Sequence, residues 1–89
     1  SHISRVSAMG SLASALAHEL NQPLTAIASY MEGARALLDG NDTPDAEALD
    51  MVREAMTEAA AQSLRAGQIV RRLREFIARG DSEKSVEQL

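Results

Sequence analysis

Hydrophobic residues recur at alternating intervals of three and four along two long stretches of the chain. In the first stretch, about residues 3–39, the series is Val6, Met9, Ala13, Leu16, Leu20, Leu24, Ile27, Met31, Ala34 and Leu38. In the second, about residues 44–79, it is Leu49, Val52, Met56, Ala59, Ser63, Ala66, Val70, Leu73 and Ile77. Spacing of this kind predicts two long amphipathic helices.

The two stretches are separated by the turn-forming segment DGNDTPD, residues 39–45. Gly40 suits the end of the first helix, where a positive φ is useful, and Thr43 suits the N-cap of the second, followed by Pro44. A connection this short predicts an antiparallel helical hairpin.

Two helices alone cannot cover both hydrophobic stripes, because each would leave apolar surface in water. A second copy related by twofold symmetry removes this deficit. The sequence therefore predicts an all-α fold: an antiparallel two-helix hairpin that dimerises into a four-helix bundle. We expect this domain to cover residues 1–80, with the polar residues 81–89 forming a linker toward a further domain.

Composition narrows the classes of function. The chain has no cysteine, which excludes disulfides and thiolate metal sites, and its net charge of −4 argues against nucleic-acid binding. The arginines near the end of the second helix are interpreted as a solvated patch: Arg71, Arg72, Arg74 and Arg79. No apolar run is long enough to span a membrane. We expect this segment to make no membrane contact and to be cytoplasmic, within a parent that can be membrane-attached elsewhere.

His18 falls almost opposite the hydrophobic stripe, with Gln22 on the same outward face and Glu19 on its flank. Pro23 interrupts the pattern one turn later, where it removes a helical hydrogen bond. An exposed neutral imidazole with a neighbouring carboxylate suits phosphoryl transfer to histidine. A turn centred near residue 41 would place His18 level with about Leu64.

Other interpretations remain open. Most exposed histidines only titrate in solvent, and Pro23 can be a packing kink without a role in a hinge. A metal site is disfavoured because glutamine is a poor ligand and no second His or carboxylate shares the face of His18. A structural coiled coil or a non-catalytic docking module is the main alternative.

The segment SALAHELNQPLTAI, residues 14–27, resembles the phosphoacceptor box of HisKA-type sensor histidine kinases, and the resemblance extends over essentially the whole chain. It implies that His18 is the phosphoacceptor, Glu19 the general base, Gln22 a residue that places water for dephosphorylating the regulator, and Pro23 the kink. It further implies a homodimer that works with a response regulator receiver domain.

The resemblance also implies parts that this sequence lacks. In the family, a separate domain binds ATP and Mg²⁺, and no glycine-rich phosphate loop occurs here. We therefore expect a histidine protein kinase core that binds no cofactor and no metal and is inactive alone. The second-helix segment resembles oxygen-sensing members of the family, which implies haem in a sensor domain of the parent.

Small residues continue the outward face beyond His18. We interpret this strip as a regulator-docking surface flanked by Tyr30 and Glu32, because charged side chains would otherwise be usual there. The strip consists of Ala26, Ser29, Gly33 and Ala36.

Overall fold

The computed structural model describes the backbone of residues 2–40 and 42–88 and the side chains of residues 7–40 and 42–80. It contains two α-helices, α1 (His2–Asp39) and α2 (Ala46–Gln88). They pack against each other in an elongated hairpin measuring 68 × 19 × 13 Å. The predicted all-α hairpin is therefore confirmed, whereas the single chain leaves dimerisation a prediction.

The connection differs in detail from the sequence-based expectation. Asp45, rather than Thr43, caps α2: its Oδ1 accepts a hydrogen bond of 2.8 Å from the backbone N–H of Ala48. Gly40 donates its N–H to the carbonyl of Ala36, and it does so without a positive φ. At the other end, α2 does not stop at Arg79 but continues as far as Gln88. The side chains of the predicted linker, residues 81–89, lie outside the described residues.

The hydrophobic series divides into two rows with different surroundings. The inward row is buried or half-buried between the helices: Leu16, Leu20, Ile27 and Ala34 on α1, and Val52, Ala59, Ala66 and Leu73 on α2. The outward row is 38–58% exposed: Leu24, Met31 and Leu38 on α1, and Leu49, Met56 and Ile77 on α2. Leu24, expected to be buried, is thus 48% exposed in one chain. The side chain of Val6 lies outside the described residues.

Candidate functional site

His18 lies on the outer surface of α1, as its position opposite the hydrophobic stripe predicts. Its side chain is exposed, and so is that of Gln22 one turn later on the same face. Neither ring nitrogen of His18 forms a hydrogen bond with another described side chain. The imidazole is therefore open to a reactant arriving from solvent.

Glu19 reaches across the hairpin to α2. Its Oε2 lies 3.6 Å from Nη2 of Arg72, and the two side chains are 48% and 61% exposed, respectively. Arg72 was assigned from sequence to a solvated patch, so this pairing was missed. Only the register of the two helices could have revealed it.

That ion pair also corrects the expected register. Because Glu19 pairs with Arg72, the part of α2 beside His18 lies beyond Leu64, in the direction of Leu73. Part of this shift arises because the connection is centred beyond residue 41: α1 ends at Asp39 and α2 begins at Ala46.

Pro23 occupies the side of α1 that faces α2. It is less than 2% exposed, and α1 continues through it. Proline has no N–H, so the carbonyl of Glu19 lacks its usual helical partner four residues on. The backbone irregularity and the Glu19–Arg72 ion pair therefore occur within one turn of His18.

A groove of about 630 Å³ runs between the helices, nearer the connection than His18. Four of its lining residues belong to the predicted docking strip and its flank: Ser29, Tyr30, Gly33 and Ala36. The α2 side contributes Met51, Ala55 and two carboxylates, Glu54 and Glu58.

Two residues of the predicted docking surface do not line this groove. Ala26 is half-buried and does not line the groove. Glu32 also lies outside it and forms a 2.9 Å ion pair with Arg35 on its own helix. The small strip residues that do line the groove are Ser29, Gly33 and Ala36, so no bulky side chain of the strip projects into it.

Within the described part of the chain, no three His, Asp or Glu side chains come together as a metal site. Neither α1 nor α2, over those same residues, is long and apolar enough to cross a membrane. The chemistry that this surface offers is that of one exposed imidazole with a carboxylate beside it.

Comparisons with known proteins agree on one family. The profile of the His Kinase A (phospho-acceptor) domain matches residues 8–82, which includes the exposed histidine and most of both helices. No solved structure gave a significant match.

Relatives with assigned names are sensor proteins. The sensor protein FixL of Bradyrhizobium diazoefficiens is 61% identical over 99% of this chain and 17% of its own length. The C4-dicarboxylate transport sensor protein DctS of Rhodobacter capsulatus is 47% identical over 82% of this chain and 10% of its own length. A DctB sensor of Pseudomonas aeruginosa is 41% identical over 64% of the chain. The chain thus spans less than a fifth of the relatives' length.

Proposed function

Because the chain belongs to the His Kinase A (phospho-acceptor) domain family of sensor histidine kinases, we propose that His18 is the residue that carries the phosphoryl group. The observation that supports this most directly is the exposed imidazole of His18, which a nucleotide or a second protein can reach. Glu19, next in sequence, supplies the carboxylate. We propose that ATP and Mg²⁺ bind a separate catalytic domain of the parent protein.

The chemistry proceeds by direct attack. One ring nitrogen of neutral His18 attacks the γ-phosphorus of ATP, and the bond to the β–γ bridging oxygen breaks. ADP leaves with the bonding electron pair, while Glu19 accepts the proton from the other ring nitrogen. The phosphoryl group then passes from His18 to an aspartate of a response regulator.

Gln22 is suited to the reverse function of removing phosphate from the regulator. It is exposed on the same face as His18, one turn away, and its amide can hydrogen-bond water. Pro23, beneath this face, weakens the backbone hydrogen bonding where α1 would bend. We assign it the hinge between the part of α1 that carries His18 and the part nearer the connection.

The outward row supports the proposal that the chain forms a homodimer. Met56, with 58% of its surface exposed, and Met31, with 54%, are the most exposed members of this apolar row on the two helices. That surface lies on neither the His18 face nor the groove. A twofold dimer through the outward row would complete a four-helix bundle and leave both histidines accessible.

The groove is suited to the response regulator. Its small α1 residues allow close approach of a helix, and Tyr30, Glu54 and Glu58 provide side chains that can distinguish partners. It lies on the same side of the hairpin as Gln22, so a bound regulator would bring its aspartate toward His18.

The remaining parts of the parent are inferred from the relatives. A sensor domain that contains haem is proposed from the 61% identity to FixL, and this segment is proposed to be inactive without a catalytic domain. Any attachment of the parent protein to a membrane would be made by those other parts.

The test is transfer of labelled phosphate. The chain is incubated with ATP, Mg²⁺ and the catalytic domain of its parent, and acid-labile phosphate is measured. We expect His18→Gln to abolish the label, whereas His2→Gln, which changes the other histidine, retains it. Label that persists in His18→Gln would refute the assignment of His18.

A further inference from the structure

Arg72 forms an ion pair with Glu19 that contributes little to the stability of the hairpin. Its pairing with Glu19 joins α1 to α2, whereas the other ion pairs among described residues connect positions within one helix. Both side chains are about half exposed or more, and an ion pair so exposed contributes little to stability. The main consequence of this ion pair is the orientation of the Glu19 side chain.

The two oxygens of Glu19 have different surroundings. Oε2 faces Arg72, whereas Oε1 accepts no hydrogen bond from another described side chain. A carboxylate can accept hydrogen bonds on both oxygens at once. Glu19 can therefore stay paired with Arg72 while its second oxygen receives the N–H of the imidazole beside it.

On the basis of the function proposed above, we infer that Arg72 is a positioning residue for phosphorylation of His18. It holds the Glu19 carboxylate in the orientation from which Oε1 takes the proton of one ring nitrogen while the other nitrogen attacks phosphorus. Activated nucleophiles share this arrangement of a nucleophile, a base and a third group that orients the base. Arg72 itself contacts neither ATP nor the reacting nitrogen.

Two neighbouring arginines provide matched controls. Arg71 and Arg74 are exposed on α2 beside Arg72, and neither forms an ion pair with another described residue. A general effect of positive charge on the approach of ATP would involve all three. An effect through Glu19 would be confined to Arg72.

The experiment measures autophosphorylation in the full-length protein that contains this chain, with labelled ATP and Mg²⁺. We expect Arg72→Met to lower kcat about tenfold, a part of the rate that general-base catalysis supplies, and to leave KM for ATP unchanged. Arg72→Lys should restore most of the rate, and Arg74→Met should have the same rate as the unsubstituted protein. Circular dichroism should show the same helix content in all variants.

A double-mutant cycle distinguishes action through Glu19 from a direct effect. With Glu19→Gln already present, Arg72→Met should change kcat by less than about twofold, because no base remains to be oriented. A tenfold loss that persists in that background, a raised KM for ATP, or an equal loss in Arg74→Met would overturn the inference. A parent protein that places no phosphate on His18 would overturn the proposed function, and this inference with it.

Discussion

Pro23 of α1 and Ile69 of α2 are both less than 2% exposed, and both lie about one turn from the Glu19–Arg72 ion pair on the side of the connection. Pro23 follows Glu19 by four residues, and Ile69 precedes Arg72 by three. The helices are thus packed most completely beside the exposed histidine. The buried alanines of α2, which are Ala48, Ala59 and Ala66, lie farther toward the connection.

Ile69→Ala should therefore destabilise the hairpin strongly. Truncating a fully buried isoleucine removes apolar contacts and leaves a cavity, which costs about 2–5 kcal/mol. Urea unfolding monitored by circular dichroism measures this loss. Leu64→Ala is the control, since Leu64 is 72% exposed and its truncation should cost less than about 0.5 kcal/mol. Equal losses in the two variants would show that Ile69 is not part of the core.

The sequence predicted the architecture because helical periodicity and turn residues are local signals. The outward position of His18 followed from the same periodicity. The split of the hydrophobic series into inward and outward rows did not, since both rows are apolar and belong to one spacing pattern, and which row is buried depends on how the two helices pack against each other. Arg72 was missed for a related reason: its partner Glu19 is distant in sequence, and the pair depends on a register that composition does not encode.

Replacing Pro23 tests two opposing effects. Pro23→Ala restores an N–H that can bond to the carbonyl of Glu19 and removes a helix-interior proline, a gain of about 3 kcal/mol. It also loses two buried methylene groups, worth about 1.6 kcal/mol. We expect a net stabilisation of about 1–2 kcal/mol, measured as a higher Tm.

The test of Pro23 also needs a measurement of activity and a control substitution at another proline. A stiffer α1 should shift the ratio of kinase to phosphatase activity in the full-length protein. Pro44→Ala is the matched control, because Pro44 precedes α2 and interrupts no helix. An unchanged activity ratio in Pro23→Ala, despite the raised Tm, would mean that Pro23 is only a packing residue.

The outward row predicts the oligomeric state. Met56→Glu would place a carboxylate within the apolar dimer interface, where an unpaired charge costs several kcal/mol. We expect this variant to be monomeric by sedimentation velocity at concentrations where the unsubstituted chain is a dimer. Leu64→Glu introduces the same charge on an exposed leucine outside the row and should remain dimeric. A dimeric Met56→Glu variant would place the interface elsewhere.

If the regulator docks in the groove, a substitution there should slow transfer of phosphate from His18 to the regulator but not phosphorylation of His18. Ser29→Arg would project a long charged side chain into the groove at a distance of several turns from His18. Phosphorylation of His18 should proceed at the same rate as in the unsubstituted protein. Transfer to the regulator should slow about tenfold or more, because the arginine obstructs docking of a helix. Thr57→Arg is the control, because Thr57 is exposed on α2 and does not line the groove. If rapid-quench measurements give equal transfer rates for the parent and Ser29→Arg, the regulator does not dock in this groove.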